Sequence, residues 1–213
     1  QYENSYYPDL DDTAAVAWTL LLAGRPEDRP ALERAADWLV GMQSRNGGFG
    51  AYDVDNTHYY LNEIPFADHK ALLDPPTADV SGRVLTFLAA LARPQDRPAI
   101  ERLVHYLLAQ QEANGSWFGR WGTNYIYGTW SVLLAFSELR YSALQPAMQR
   151  AADWLRSVQQ ADGGWGESND SYFDPGLAGQ GQASTAAHTA WACLALMAAG
   201  DSNSEALRRG IQW

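Results

Sequence analysis

Three aspartates lie close together near the start of the chain, at Asp9, Asp11 and Asp12. Clustered carboxylates repel one another, and this repulsion raises the pKa of at least one of them. The cluster directly precedes an apolar stretch with a helical pattern, and the dipole at a helix N-terminus stabilises a carboxylate once it has formed. A carboxyl group with both properties suits strong general-acid chemistry, such as the protonation of an isolated alkene. A plain helix N-cap and a metal-binding acidic cluster are the two alternative interpretations.

An internal repeat predicts the elements that position this cluster. Residues 30–39, 98–107 and 146–155 align without gaps, each with a proline eight positions and an arginine four positions before an aromatic residue. Each unit continues to a glutamine, an Asn-Gly or Asp-Gly pair and a second aromatic residue. These glutamines and aromatic residues are Gln43, Gln111, Gln159, Phe49, Trp117 and Trp165. A fourth unit stops at its aromatic residue, Trp213, so we expect the chain to be part of a longer polypeptide.

The repeat predicts an all-α fold. Each unit is an amphipathic helix that ends at its Asn-Gly or Asp-Gly pair. Between the units lie nearly all-apolar helices, at about 12–23, 77–92, 125–139 and 184–199. The alternation of the two kinds predicts inner and outer layers of antiparallel hairpins, an α/α toroid. Residues 1–213 would form one domain and supply about two thirds of a closed (α/α)6 barrel; an ordinary α-solenoid is the alternative.

Composition excludes several classes of function. The net charge of −10 leaves no basic stripe, which argues against nucleic-acid binding. The single cysteine, Cys193, lies in an apolar run and is expected to be a buried, inert thiol. The four histidines have no metal-ligand spacing, and the glycine-rich runs follow helices rather than strands, so we expect neither a metal nor a phosphate-binding loop.

Two motifs carry a resemblance to a known family. The repeat resembles the QW motif of triterpene cyclases, in which the glutamine bonds a neighbouring helix terminus and stacks on the tryptophan. The segment of residues 8–12 resembles the DxDD motif of squalene–hopene cyclases, where it follows Tyr-Tyr-Pro as Tyr6 and Tyr7 do here. The resemblance implies that Asp11 is the proton donor, and that Asp9 and Asp12 tune it through hydrogen bonds.

The resemblance also implies a basic partner for the acid. Residues 74–83 match the family segment that places a basic side chain there, and Arg83 stands where some members have histidine. Because arginine stays charged, Arg83 would lower the pKa of the donor and help to regenerate it. Asp74 and Asp79 match acidic positions of the family near the same site, among its substrate-binding residues. A surface salt bridge is the alternative interpretation of Arg83.

The aromatic residues suit a cavity for a carbocation. Aromatic faces stabilise cations without acting as nucleophiles, and exclusion of water protects the intermediate. By resemblance, Tyr52 and Trp121 line the cavity, and Tyr127 lies near the acid, where it holds water or assists reprotonation. Phe66 and Ala67 match the segment at which the family narrows its substrate entrance. Core packing is the alternative interpretation of each single aromatic residue.

The function implied by this resemblance is the cyclisation of squalene to hopene or hopanol without a cofactor. The full-length protein is expected at the cytoplasmic face of the inner membrane, as a peripheral or monotopic protein. The isolated piece is expected to lack meaningful activity and to cover its exposed inner helices by forming a homodimer or binding detergent. Three alternatives stay open: another class II di- or triterpene cyclase, a toroidal binding module without catalysis, and a toroidal glycosidase with paired carboxylates.

Overall fold

The computed structural model describes residues 8–58, 60–61, 64 and 73–213. In this part of the chain there are eight α-helices and no β-strand; the β-type pairing consists of one isolated bridge between Phe49 and Thr77. The helices are α1 Leu10–Ala23, α2 Arg29–Gly41, α3 Ala78–Leu91, α4 Arg97–Ala109, α5 Tyr125–Leu139, α6 Gln145–Ser157, α7 Ala186–Ala198 and α8 Glu205–Gln212. The predicted all-α fold is confirmed, and the helix bounds agree with the pattern to within a few residues.

The odd-numbered helices form one layer. Helix α3 packs against both α1 and α5, and α5 packs against both α3 and α7. These odd-numbered helices are the inner layer. Each even-numbered helix packs on the inner helix that precedes it, and the even-numbered helices form the outer layer. Close approach within the inner layer depends on Gly82 of α3, because a Cβ atom there would lie 2.6 Å from the Ser131 hydroxyl oxygen of α5. None of the helices in the described part of the chain is long and apolar enough to cross a membrane.

The repeat residues join successive outer helices. The Gln111 side-chain amide donates to the carbonyl oxygens of Gly115 and Ala147, each at 2.9 Å. Ala147 lies in the first turn of α6, so this glutamine ties the end of α4 to the start of the next outer helix. Gln43 and Gln159 make the equivalent pairs of hydrogen bonds. The predicted contact of each glutamine with a neighbouring helix terminus is therefore present.

The turn after each glutamine has room for glycine alone. Gly47, Gly115 and Gly163 have φ values of 91°, 96° and 96°, in the left-handed region. A Cβ atom at Gly115 would also lie 2.7 Å from the carbonyl oxygen of Arg150. The aromatic residue that follows is fully buried in each unit, and the Trp117 and Trp165 indoles donate to carbonyl oxygens of their own outer helices. These turns fix the loops that lead back to the inner layer.

Candidate active site

The predicted acid and its surroundings meet at one end of the inner layer. Asp11, Asp79 and Tyr127 lie in the first turns of α1, α3 and α5. Because each hairpin returns the chain to the same side, the inner helices run in the same direction and their first turns are neighbours. The positive ends of several helix dipoles therefore point toward the same group of side chains.

Asp11 is a mostly buried carboxyl group beside the cation of Arg83. Its side chain is 24% exposed, and an Oδ1 atom lies 3.5 Å from Nε of Arg83. Burial raises the pKa of Asp11 to about 6, Arg83 opposes this increase, and the charges of Asp79, Asp9 and Asp12 add to it. About a tenth of such groups would carry a proton at pH 7, far more than for an ordinary aspartate. The site therefore supplies a carboxyl group that burial keeps partly protonated, beside a cation that offsets part of the cost of its ionisation.

Arg83 links the acid to Tyr127. An Nη2 atom donates a hydrogen bond of 3.1 Å to the Tyr127 hydroxyl, and the guanidinium carbon lies 5.8 Å from the centre of the Tyr127 ring. Tyr127 is 6% exposed, and burial raises its pKa to about 12 against the opposing effect of Arg83. The phenol therefore stays protonated at neutral pH.

The three aspartates of the cluster have different surroundings. Asp9 caps α1, where its Oδ1 atom accepts the backbone N–H of Asp12 at 2.9 Å. A hydrogen bond with Asp9 also raises the pKa of the Tyr52 phenol to about 12, with burial as the next cause. Asp12 is exposed. Of the three carboxylates, Asp11 thus lies beside Arg83, while Asp9 faces Tyr52.

Asp74 and Asp79 hold the two loops that carry the predicted cavity aromatics. Asp74 accepts the backbone N–H of Tyr52 at 2.5 Å. Asp79, which is 1% exposed, accepts the backbone N–H of Trp121 at 2.8 Å and the hydroxyl of Thr77 at 2.6 Å. Burial raises the pKa of Asp79 despite these hydrogen bonds. The two carboxylates, expected among the substrate-binding residues, are placed here as supports of the loops.

The loop aromatics form one wall of the site. Tyr52 and Trp121 pack edge to face with ring centres 6.3 Å apart, and the Trp121 side chain is 48% exposed. This wall lies beside the acid, since Tyr52 contacts Asp9. The predicted entrance residues, Phe66 and Ala67, lie outside the described residues.

A second aromatic group was not assigned from the sequence. Trp130 lies over Arg83, with its ring centre 5.2 Å from the guanidinium carbon, and stacks on Trp191 at 5.9 Å and 18°. Trp191 in turn contacts Tyr127 edge to face at 5.0 Å. The helical spacing contained the signal, because Trp130 follows Tyr127 by three residues and therefore shares its face of α5.

Side chains from the next repeat hold the start of α5. Glu167 is 8% exposed and accepts the backbone N–H groups of Asn124, Tyr125 and Ile126. A carboxylate at a helix N-terminus satisfies donors that the helix cannot pair. Because α5 carries Tyr127, this buried cap fixes the position of a site residue. The sequence does not reveal this cap, since an isolated glutamate in a loop carries no periodic signal.

The Trp121 loop is held from the same side. The Tyr172 hydroxyl lies within hydrogen-bond distance of the carbonyl oxygens of Arg120 and Gly122, and His188 Nε2 lies 2.7 Å from the carbonyl oxygen of Thr123. His188 must donate there, because a carbonyl oxygen only accepts. In the part of the chain that the structure describes, no group of three or more His, Cys, Asp or Glu side chains is arranged to hold a metal ion.

Comparison with known proteins identifies the family. The sequence model of the squalene-hopene cyclase C-terminal domain matches residues 1–213. The chain belongs to this family. It is 50% identical to the squalene–hopene cyclase of Zymomonas mobilis over 218 aligned residues and 54% identical to that of Schizosaccharomyces japonicus over 213. Each alignment covers 100% of this chain, which spans 33% and 32% of the two relatives. The resemblance carried by the two motifs is confirmed.

A solved structure gives the fold of this squalene–hopene cyclase domain. The chain superposes on ent-copalyl diphosphate synthase from Streptomyces platensis with a TM-score of 0.67 and 24% sequence identity. The match covers 96% of this chain and 34% of that one. The fold is the α/α toroid of class II terpene cyclases, as the repeat predicted.

Proposed function

We propose that the complete protein converts squalene to hopene or hopanol, and that Asp11 is the acid that starts the reaction. The proposal is carried by the surroundings of Asp11, a mostly buried carboxyl group with a raised pKa beside Arg83 and aromatic rings. Membership of the squalene–hopene cyclase family gives the substrate class. The relatives named as squalene–hopene cyclases are about three times as long as this chain, so the proposal concerns the whole protein.

The first step transfers the proton of Asp11 to the terminal alkene. The O–H bond of the carboxyl group breaks, and the alkene electron pair forms a C–H bond and leaves a tertiary cation. Further alkenes of the same molecule attack in sequence, and each attack closes a ring and moves the cation onward. Loss of a proton from the last cation gives hopene, whereas addition of water followed by loss of a proton gives hopanol. The carboxylate is reprotonated from solvent, so the overall reaction needs no cofactor.

Arg83 offsets part of the cost of burying the carboxylate that this transfer leaves. The Oδ1 atom of Asp11 lies 3.5 Å from Nε of Arg83, which is close enough for charge attraction and long for a hydrogen bond. Once the carboxylate forms, attraction to the guanidinium and the first turn of α1 stabilises it more strongly than it stabilised the acid. We propose that Arg83 and Tyr127 support reprotonation, since their hydrogen bond joins the phenol to the cation beside the carboxyl group.

The aromatic walls are the proposed environment of the cation. Tyr52 and Trp121 lie on one side of the acid, and Trp130 and Trp191 lie on the side of Arg83. Their ring faces attract positive charge without forming a bond to it. The same rings displace water, which would otherwise capture the first tertiary cation.

A peripheral position on the membrane follows from the substrate proposed. Squalene is a hydrocarbon and partitions into the bilayer, so we propose that the complete protein binds the cytoplasmic face of the inner membrane. Flotation of the purified protein with lipid vesicles tests this proposal directly. Recovery of all the protein in the lipid-free fraction would contradict it.

Product analysis tests the chemical proposal. The complete protein is incubated with detergent-solubilised squalene, and the products are separated by gas chromatography with mass detection. The wild type should give pentacyclic products, and Asp11→Asn should give none while it folds normally. Asp153→Asn is the matched control, since Asp153 lies on outer helix α6 with its side chain 63% exposed, and it should retain full activity.

The alternatives give distinct results in the same assay. Another class II cyclase would leave squalene unchanged and cyclise a different polyprenyl substrate. A binding module would bind squalene and form no product. Turnover retained by Asp11→Asn would show that a different group supplies the proton.

A further inference from the structure

The orientation of Arg83 is not explained by its ion pair. Its Nε atom lies 3.5 Å from Oδ1 of Asp11, and within the described residues this Nε–H group makes no hydrogen bond. Its Nη2 hydrogen bond, to the Tyr127 hydroxyl, fixes one corner of the guanidinium. An arginine side chain has several rotatable bonds, and a single hydrogen bond with a long ion pair leaves the plane of the group free to turn.

Trp130 supplies the missing surface. Among the described residues, the rings that lie over the Arg83 guanidinium are those of Trp130 and Tyr127, at 5.2 Å and 5.8 Å from the guanidinium carbon. Both distances fall within the range of cation–π attraction, for which tryptophan is the strongest partner. Trp130 approaches from α5 and Asp11 lies on α1, so the guanidinium is held between two helices.

The Trp130 ring is itself fixed. It stacks on Trp191 and lies against Tyr127 at 5.7 Å. Trp191 packs against His188, whose ring nitrogens lie 2.7 Å from the Thr185 hydroxyl and from a backbone carbonyl oxygen. A surface made of packed rings reorients far less than a lone side chain, because each ring blocks the rotation of the next.

We infer that Trp130 is a positioning residue for the acid: its ring face holds the Arg83 guanidinium at a set distance from the Asp11 carboxyl group. The catalytic consequence rests on the function proposed above. The distance between the guanidinium and the carboxyl group can be tested without any measurement of turnover. It therefore has its own measurement.

The titration of Asp11 reports this distance. Asp9 and Asp12 face Asp11 from its own helix, Asp79 and Arg83 face it from α3, and the neutral phenol of Tyr127 faces it from α5. Of these groups, Arg83 is the one cation and opposes the increase in the Asp11 pKa. A guanidinium that moves away from Asp11 should therefore shift the titration of the carboxyl group to higher pH.

The experiment weakens the ring face without changing its shape. Tryptophan carrying one to four fluorine atoms is placed at position 130 of the complete protein, which lowers the negative charge of the ring face step by step. The carboxyl titration is followed by infrared difference spectra of each protein against its own Asp11→Asn variant. We expect Arg83→Gln to raise the Asp11 midpoint by about one pH unit or more. The midpoint should also rise with each fluorine at position 130, and the full series should reach about half of that increase.

Trp18 gives a matched control. It lies on α1 and lines the same cleft as Arg83 and Trp130. The fluorinated series at Trp18 should leave the Asp11 midpoint unchanged. Trp130→Leu, which removes the ring, should raise the Asp11 midpoint as the fluorinated series at Trp130 does. Trp130→Phe, which keeps a ring, should leave the midpoint close to that of the wild type.

Two results would overturn the inference. One is a midpoint that does not move across the fluorinated series at Trp130. The other is a rise of the midpoint across the fluorinated series that is as large in Arg83→Gln as in the wild type. Without Arg83 the ring has no cation to hold, so the effects of fluorination and of Arg83→Gln should not add. If the wild type forms no cyclic product and yet the midpoint follows the series, the proposed function fails and the positioning of Arg83 by Trp130 stands.

Discussion

The raised pKa of Asp11 predicts that the acid destabilises the protein at neutral pH. Burial raises the pKa from 3.8 to about 6 in the folded state. The folded protein then binds this proton more tightly than the unfolded chain does. The resulting stability is fully present below about pH 4 and is lost as the pH rises to about 6. Replacement of Asp11 by Asn removes this loss, because the amide does not ionise.

The size of the effect follows from the shift of the pKa. A difference of about two units between the folded and unfolded states corresponds to about 3 kcal/mol at pH 7. At pH 4 most of that penalty is absent, since Asp11 keeps its proton in the folded state. Relative to the wild type, Asp11→Asn should therefore gain about 2 kcal/mol more unfolding free energy at pH 7 than at pH 4.

Urea denaturation of the wild type and of Asp11→Asn at several pH values measures this difference. The value at pH 4 is the internal control, because it contains every effect of the substitution except ionisation. If the unfolding free energies of the two proteins differ by the same amount at pH 4 and at pH 7, the pKa of Asp11 is not raised in the folded state. An inactive variant that is more stable than the wild type would show that the acid is maintained for function.

Three further substitutions test the scaffold. Gln111→Ala should lower the unfolding free energy, measured by urea denaturation, by about 2 kcal/mol, because two carbonyl oxygens lose their donor. The control Gln149→Ala, on the exposed side of an outer helix, should change it by less than about 0.5 kcal/mol. Gly82→Ala should cost about 2 kcal/mol because α3 and α5 must separate, whereas Gly41→Ala, with open space around it, should not destabilise; equal thermal unfolding midpoints would contradict this. Glu167→Gln should cost about 2 kcal/mol and lower kcat more than it raises KM, which steady-state kinetics of the complete protein would show.

Much of the scaffold could be predicted because each of its signals is local and repeated. A glutamine five residues after an aromatic residue, followed by Asn-Gly or Asp-Gly, marks the same turn three times. Repetition separates such a signal from chance, and the bounds of the helices followed from it. The DxDD segment occurs once, and three carboxylates before an apolar helix also suit a plain helix N-cap; the repeats beside it made the family resemblance specific.

Apart from the glutamine contacts, the side-chain contacts between repeats could not be predicted. Glu167 caps a helix that begins about forty residues earlier in the chain, and nothing in its neighbouring sequence points to that partner. The stacking of Trp130 on Trp191 depends on the angle between α5 and α7, which the pattern of one helix does not contain. The roles of Asp74 and Asp79 as supports of loops likewise appear only when the loops are placed.

The inner helices show how a repeat can acquire chemistry. Ser81 and Thr129 stand at one register of α3 and α5, and each accepts the backbone N–H of the buried aromatic residue before it, Phe49 and Trp117. Two positions earlier in that register stand Asp79 and Tyr127, a carboxylate and a phenol. The inner helices thus share one backbone pattern, with one ring of positions whose side chains differ between the hairpins. The packing of the hairpins is largely separate from the chemistry that this ring provides. Exchanges in this ring would vary acidity, polarity or cavity shape at the site, and at Asp79 they must also preserve the hydrogen bond that holds the Trp121 loop.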